Sequence, residues 1–183
     1  MSRVRVYMAC SLDGFIAGEG DDLSWLGGTP TDAVELARSS PDALSYDRFI
    51  SDVGVLLMGR RTYDVVEGFD EWFYGALPVR VATTRPLPSW RPSVMAVQGD
   101  IATLVEDARK AAGGKDVYLD GGDLIRQATV ARLVDEYVIT FIPVLLGRGI
   151  PLFAGLSART NLEILSSAPF AGGALQVVAR LRS

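Results

Sequence analysis

The chain contains no histidine and only one cysteine, Cys10, among its 183 residues. The single cysteine excludes an intrachain disulfide, and these counts argue against a structural zinc site and predict no bound metal. The same absences remove Ser-His-Asp and Cys-His catalysis, which both need an imidazole. A catalytic proton must therefore come from a carboxyl, a tyrosine or water.

Clusters of positive charge and long apolar runs are also missing. The formal net charge is −4 and the arginines are scattered, so the basic patch of a nucleic-acid-binding protein is not visible. No apolar run approaches the ~18 residues that a membrane-spanning helix needs, and the N-terminus lacks the pattern of a secretory signal. The sequence predicts a cytoplasmic protein with no membrane or nucleic-acid partner.

What is present is the composition of a globular protein, with 49% hydrophobic and 22% charged residues. A single domain over residues 1–183 is the simplest organisation, and it is long enough to bury a core. Apolar runs of strand length alternate with helical spacing, and two strands near 162–165 and 175–181 close the chain. This order predicts a three-layer α/β fold with a central mixed, mostly parallel sheet and a C-terminal antiparallel strand pair. Ser40-Pro41 predicts the start of a helix with Leu44, Phe49 and Ile50 inside.

The stretch from Asp116 to Arg126 changes from strand-like to helical spacing at Gly121-Gly122. Glycines permit positive φ and leave no Cβ to keep a ligand away, and the N-terminus of the following helix favours an anion such as phosphate. The alternative is a plain tight turn. The turn is therefore a candidate phosphate site.

Two further segments follow predicted strands, Gly59-Arg60-Arg61-Thr62 and Thr83-Thr84-Arg85. Because the carboxyl ends of parallel strands meet at one edge of a sheet, we expect these segments to line the same cleft as Gly121. Cations are unfavourable at a helix N-terminus unless an anion is present, so Arg60 and Arg61 favour a bound anion over a solvated first turn.

Two other segments have no periodicity. Gly18 to Thr31 is a long loop with four glycines, and both a lid over a binding site and a solvated surface loop fit it. Pro143 to Phe153 is too apolar to be freely solvated, so we expect it to pack on the body of the protein or on a second subunit. The second possibility predicts a homodimer.

Five motifs in register resemble the dihydrofolate reductase superfamily, and its nearest branch looks like the reductase domain of bacterial riboflavin biosynthesis and its stand-alone relatives. The resemblance covers nearly the whole chain in the right order and spacing. The motifs are Ser11–Ala17, Leu57–Tyr63, Ala82–Arg85, Asp120–Leu124 and Pro143–Phe153.

The resemblance implies a dihydrofolate reductase-like fold, NADPH as cofactor and an oxidoreductase of a small heterocycle, similar to 5-amino-6-(5-phosphoribosylamino)uracil reductase. It implies that the nicotinamide, the phosphates and the adenosine end contact residues spread over the cleft, with arginines near the 2′-phosphate favouring NADPH over NADH. The implied cofactor-binding residues are Ala9, Ile16, Gly59, Arg60, Arg61, Thr62, Thr83, Thr84, Arg85, Leu119, Gly121, Gly122, Asp123, Leu124 and Thr140.

The chain also departs from its relatives. The carboxylate that grips the pteridine in dihydrofolate reductases falls near Ser45, with Asp47 the nearest acid, and Val6 stands where riboflavin-pathway reductases carry a lysine. A dihydrofolate or pteridine reductase and a non-catalytic nucleotide-binding dimer remain alternatives. The candidate proton donors are Asp47, Asp13 and Tyr46, although Asp13 also fits a turn residue and Asp47 an exposed helix position.

Overall fold

The computed structural model describes residues 2–27, 40–88 and 91–182. Within these ranges the chain forms ten strands and four α-helices. The strands are β1 (Val4–Ser11), β2 (Phe15–Ala17), β3 (Val53–Gly59), β4 (Val79–Ala82), β5 (Val94–Val97), β6 (Asp116–Asp120), β7 (Glu136–Ile142), β8 (Ile150–Pro151), β9 (Leu162–Phe170) and β10 (Ala174–Leu181). The helices are α1 (Tyr46–Ser51), α2 (Arg60–Glu67), α3 (Ile101–Ala111) and α4 (Gly122–Val130).

Eight of the strands form one sheet in the order β5-β4-β3-β6-β1-β7-β10-β9. The six strands from β5 to β7 are parallel to their neighbours, whereas β10 runs antiparallel to both β7 and β9. Strands β2 and β8 form a separate antiparallel pair. The predicted mixed, mostly parallel sheet with a C-terminal antiparallel pair is confirmed.

Each face of the sheet carries its own layer of helices and its own core. On one face α3 and α4 bury apolar side chains such as Leu104 and Ile125 against β1, β3 and β6. On the other face α1 packs through Phe49 and α2 through Tyr63. Because successive side chains of a strand point to opposite faces, Leu119 of β6 joins the first core while Tyr118 joins the second.

Ion pairs connect the amino ends of the central strands. Arg5 of β1 is only 4% exposed, and its guanidinium lies 2.6 Å from Glu136 of β7 and 3.4 Å from Asp116 of β6. Arg3 adds a 2.6 Å pair with Asp116. A buried arginine left without partners would be costly, so these contacts favour one register among the three central strands. The opposite, carboxyl edge is therefore the edge free to hold a site.

One helix starts later than its sequence predicts. The Ser40-Pro41 pair forms a turn, and α1 begins only after Ser45, whose hydroxyl accepts the N–H of Arg48 at 3.3 Å. The physical reason lies far along the chain, where buried Gln176 of β10 accepts the N–H of Leu44 at 2.7 Å and donates to its carbonyl at 3.1 Å. Both backbone groups of Leu44 are thereby engaged outside a helix, which corrects the predicted start.

The predicted cap of α3 is confirmed, and strand β9 is longer than predicted. Asp100 caps α3 through a 2.8 Å bond from the N–H of Thr103, as its position predicts. Strand β9 runs on to Phe170 and includes Pro169, which the edge position allows because one side of β9 has no strand partner among the described residues. No helix in the described ranges has the length and apolarity that crossing a membrane requires.

Candidate active site

A cleft of about 800 Å³ lies at the carboxyl ends of the central strands. Strand β1 supplies Met8 and Ala9, β2 supplies Ile16, and the junctions β3–α2 and β6–α4 supply Gly59 to Thr62 and Asp120 to Leu124. The cleft has two chemically different parts. We name the part around Gly59–Thr62 and Gly121–Asp123 the phosphate end, and the part around Tyr7, Tyr46, Tyr118 and Asp120 the tyrosine end.

Two helix N-termini converge at the phosphate end. Gly59 precedes α2 and Gly121 precedes α4, and neither helix start is capped by a side chain. A Cβ at Gly121 would lie 3.6 Å from the nitrogen of Gly59 and would collide with the hydroxyl of Thr62, and φ at Gly121 is +90°. Only glycine fits there, and the free N–H groups and positive ends of two helices face a common space. This arrangement is suited to an anion, and to the two phosphates of a dinucleotide in particular.

Arginines surround the phosphate end but are held by carboxylates. The Nε of Arg60 donates to Asp64 at 2.6 Å, and its Nη1 donates to the carbonyl of Pro86 at 2.9 Å. Arg85 reaches the second oxygen of Asp64 at 3.0 Å. These contacts bring the segment after β4 beside the start of α2. Arg60 lines the cleft itself, whereas Arg85 stands next to it.

The loop after β2 covers one side of the cleft. Its described part, residues 18–27, contributes Asp21, Leu23 and Leu26 to the lining, and Asp21 lies 2.8 Å from Nε of Arg61. This ion pair ties the loop to the start of α2. For these residues the contacts favour a lid over a freely solvated loop; residues 28–31 of the predicted lid lie outside the described ranges.

Asp120 is the buried acid of the cleft. It ends β6, is 7% exposed, and accepts the N–H of Gly121 at 2.7 Å. Burial raises the pKa of Asp120 to about 6, against the lowering effects of the Gly121 N–H and the nearby hydroxyls of Tyr118 and Tyr74. A carboxyl with this pKa is still protonated in roughly a tenth of the molecules at pH 7 and in more of them at lower pH, which suits a proton donor.

Tyrosines enclose this carboxyl. The hydroxyl of Tyr118 donates to the carbonyl of Tyr7 at 3.0 Å, and that of Tyr7 donates to the carbonyl of Leu44 at 3.0 Å. The ring of Tyr46 meets the ring of Tyr7 edge to face at 5.7 Å between centroids. Burial raises the pKa of Tyr7 to about 12 and raises the pKa of Tyr46 as well, so both phenols stay neutral near pH 7.

The structure brings most of the sequence-predicted residues to this cleft. Those that line it are Ala9, Ile16, Tyr46, Gly59, Arg60, Arg61, Thr62, Gly121, Gly122, Asp123 and Leu124. Thr83, Thr84 and Arg85 follow β4 beside the phosphate end, and the hydroxyl of Thr83 accepts the N–H of Arg85 at 3.0 Å. Their contact with an adenosine stays a prediction.

Four further predicted residues do not line the cleft: Leu119, Thr140, Asp13 and Asp47. The side chain of Leu119 is buried on the far face of β6, and Thr140 is buried beside Gln176, whose Nε2 donates to it at 3.3 Å. The exposed Asp13 carboxylate accepts the Ser11 hydroxyl and the N–H groups of Leu146 and Gly147, and these bonds lower its pKa.

These placements disfavour two of the three proposed proton donors, Asp13 and Asp47. A carboxylate held ionised as a turn anchor is a poor acid, so the geometry disfavours Asp13 as the proton donor. Asp47 is exposed on the first turn of α1 and is not among the residues that line the cleft.

Sequence reasoning named Asp120 only as part of a turn motif and missed it as the acid. The available signal was its position as the last residue of a near-continuous apolar strand, where a carboxyl is expected to be buried. Within the described ranges no three His, Cys, Asp or Glu side chains gather closely enough to hold a metal ion.

Comparisons with known proteins agree with this architecture. The sequence model of the RibD C-terminal domain family matches residues 2–175. The chain is 31% identical over 174 residues to the uncharacterized protein YwjB of Bacillus subtilis, with 94% of each chain covered. It is 30% identical, with a TM-score of 0.83 and 99% of both chains covered, to a solved structure from Shewanella sp. PV-4 named for riboflavin biosynthesis.

A more distant likeness bears on the fold alone. The deaminase/5-amino-6-(5-phosphoribosylamino)uracil reductase of Thermotoga maritima superposes with a TM-score of 0.66 at 14% identity, covering 99% of this chain and 57% of that one. The likenesses confirm the predicted α/β fold class.

Proposed function

We propose that this chain, which belongs to the RibD C-terminal domain family, is an NADPH-dependent reductase of a small heterocyclic substrate. One observation carries the proposal. A single cleft joins two uncapped helix N-termini to a buried carboxyl, Asp120, whose pKa is raised to about 6. The first feature fits the phosphates of a dinucleotide, and the second fits proton delivery.

The phosphate end fits the cofactor in shape and charge. Gly121 leaves a space that no side chain could share with Thr62, and uncapped N–H groups at the starts of α2 and α4 are available to phosphate oxygens. Arg60 and Arg61 would neutralise further phosphate charge, and Ala9 and Ile16 would flank the nicotinamide. When bound, the reduced nicotinamide supplies a hydride.

Asp120 would supply the accompanying proton. Reduction of a C=N or C=O bond adds a hydride to carbon and a proton to nitrogen or oxygen, and the protonated Asp120 carboxyl would donate that proton and become a carboxylate. Water would then reprotonate it. Burial of the carboxyl raises its pKa to about 6, against the lowering effects of the Tyr118 and Tyr74 hydroxyls, so a protonated fraction is present near neutral pH. Tyr46, which also lines the cleft, is the second candidate donor.

Titration with NADPH tests the cofactor assignment. Following nicotinamide fluorescence, we expect the wild-type protein to bind NADPH in the micromolar range. Loss of one charge-assisted contact costs roughly 1.5 to 3 kcal/mol, so Arg60→Ala should weaken binding by about 10- to 150-fold. Arg180→Ala is a matched control, because Arg180 pairs with Glu163 at 2.8 Å on β10 and does not line the cleft. Wild-type protein that binds no NADPH at millimolar concentration would contradict the proposal.

A turnover assay that follows NADPH absorbance separates the alternatives. Loss of NADPH absorbance after addition of dihydrofolate would identify a dihydrofolate reductase. A protein that binds NADPH but reduces no heterocycle from a broad panel would instead be a nucleotide-binding module.

We also propose that two copies of the chain associate. Large apolar side chains are exposed on β9, on β10 and in the segment after β7, among them Leu145 at 71% and Ile164 at 59%. Such exposure is typical of an interaction surface rather than of a solvated one. A homodimer would cover this surface.

A further inference from the structure

Arg126 connects two parts of the cleft wall that are separate in the chain. It lies in the second turn of α4, and its Nη1 donates to the carbonyl of Pro151 in β8 at 2.8 Å. The residue lines the cleft, and its side chain is 24% exposed. Because long side chains of a helix lean towards its N-terminus, this hydrogen bond joins β8 to the start of α4. Arg126 therefore ties β8 to the phosphate end.

The strand pair that Arg126 contacts is short. Strand β2 has three residues and β8 has two, and Phe15 pairs with Pro151. A two-stranded pair of this size is not stable alone, so its position depends on contacts with the rest of the protein. The Asp13 carboxylate accepts two N–H groups of the loop that leads into β8. Among the side-chain hydrogen bonds of the described residues, the one from Arg126 is the bond that reaches β8 itself.

Arg126 and Ile16 of β2 meet at the second glycine of the turn. A Cβ at Gly122 would lie 2.9 Å from Cδ1 of Ile16 and 3.0 Å from Nη1 of Arg126. The carbonyl oxygen of Pro151 would be 3.5 Å away. Gly122 lies within α4 and its φ is not positive, so the close approach of these groups accounts for the missing side chain better than the backbone does. The strand pair thus touches the phosphate end at this point.

Helix stability does not explain where this guanidinium lies. A cation near the N-terminus of a helix is unfavourable. The ion pair between Nη2 and Asp123 compensates little, because it is 3.6 Å long and the Asp123 side chain is 77% exposed. The hydrogen bond to the Pro151 carbonyl is partly buried and charge-assisted. The contacts therefore favour a role of Arg126 in holding β8 over a role in stabilising α4.

We infer that Arg126 is a positioning residue of the cofactor site, which holds β8, and through the β2–β8 pair Ile16, against the start of α4. The contact sets the position of the nicotinamide wall relative to the phosphate end. The inference rests on the proposed function, in which the phosphates lie at the starts of α2 and α4 and the nicotinamide lies against Ile16. Arg126 acts through Ile16 and not by binding the cofactor.

Two ligands separate positioning from phosphate binding. NADPH carries the nicotinamide, whereas 2′-phospho-ADP-ribose carries the same phosphates without it. Arg126→Met keeps an unbranched side chain and removes the donor. By calorimetry, we expect the Kd for NADPH to rise about fivefold or more and the Kd for the fragment to stay within about twofold. The fluorescence of bound NADPH at saturation should also fall, because Ile16 then shields the nicotinamide less.

Two further variants provide the control and the route. Arg132 donates to the carbonyl of Arg182 at 2.7 Å and does not line the cleft, so Arg132→Met removes the same kind of bond elsewhere and should change neither Kd by more than about twofold. Ile16→Ala removes the side chain through which Arg126 acts. In that background, Arg126→Met should change the Kd for NADPH by less than about twofold, because coupled residues are not additive.

The outcomes distinguish this inference from the proposed function. Wild-type protein that binds neither NADPH nor the fragment at millimolar concentration refutes the reductase function itself. Normal binding by the wild type together with equal weakening of both ligands in Arg126→Met overturns the positioning role, since the guanidinium would then act on the phosphates. An unchanged Kd for NADPH in Arg126→Met overturns it too, as does an undiminished effect of Arg126→Met in the Ile16→Ala background.

Discussion

The raised pKa of Asp120 predicts how the stability of the folded protein depends on pH. The pKa rises from 3.8 in the unfolded chain to about 6 in the folded protein because burial disfavours the carboxylate. Folding therefore favours the protonated form. The stabilisation is complete below pH 3.8, declines as pH rises towards 6 and is lost above that value. A difference of about 2.2 pH units corresponds to about 3 kcal/mol.

The substitution Asp120→Asn isolates this contribution because asparagine keeps the shape and never ionises. We expect the free energy of unfolding of the variant, relative to wild type, to increase by about 3 kcal/mol between about pH 3.5 and pH 7.5. Urea unfolding at half-unit pH steps, at one fixed protein concentration, measures it. Taking the difference between the two proteins cancels the titrations that they share.

A matched control exists in the same turn. The side chain of Asp123 is 77% exposed, so Asp123→Asn removes a carboxylate from the same turn without touching a buried group and serves as the control. A difference between wild type and the Asp120→Asn variant that stays flat from about pH 4 to pH 7, or that changes with the opposite sign, would refute the buried-acid reasoning. It would then also remove Asp120 as the proton donor.

Three further sets of substitutions test the packing around the cleft and the proposed interface. Gly121→Ala should cost roughly 1 to 3 kcal/mol in urea unfolding, because φ is +90° and the new methyl group meets the Thr62 hydroxyl; adding Thr62→Ala should recover part of the loss. Gln176→Met keeps the volume of the side chain but removes both hydrogen bonds to the backbone of Leu44. It should lower the free energy of unfolding by about 2 to 4 kcal/mol and raise the KM for substrate. The Kd for NADPH should stay within about threefold. Leu145→Glu and Ile164→Glu should shift a dimer towards a monomer on gel filtration at micromolar concentration. Val130→Glu, which changes an exposed residue of α4, is the control and should not shift it. A monomeric wild-type protein under the same conditions would contradict the dimer.

The sequence predicted those parts of the fold whose physics is local. Asp100 caps α3 because a carboxylate beside free N–H groups is favourable wherever the helix lies. Gly121 and Gly122 mark a strand-to-helix turn because only glycine tolerates the φ required at Gly121. The start of α1 could not be predicted in this way, since it depends on Gln176, which is 132 residues away from Leu44 in the chain.

The raised pKa of Asp120 could not be predicted from the sequence for the same reason. Asp120 has an ordinary local sequence, and its pKa is raised by burial, against the lowering effects of the Gly121 N–H and the hydroxyls of Tyr118 and Tyr74. Tyr7 and Tyr46 complete the enclosure from β1 and α1. The apolar strand before Asp120 signals burial, but the raised pKa depends on distant parts of the chain that fold around the carboxyl, so no pattern within a short window of sequence could reveal it.

The division of the cleft follows from the topology of the sheet. The phosphate end is built from the backbone at the carboxyl ends of β3 and β6. Its N–H groups are present whatever side chains follow, so phosphate binding there depends little on side-chain identity. The tyrosine end is built from side chains of β1, β6 and α1, which form one wall of the cleft. Substitutions at this end therefore alter the substrate side of the cleft and leave the N–H groups at the starts of α2 and α4 in place. For this reason, family membership supports the cofactor more strongly than the substrate, and the tyrosines and Asp120 must be tested in this chain itself.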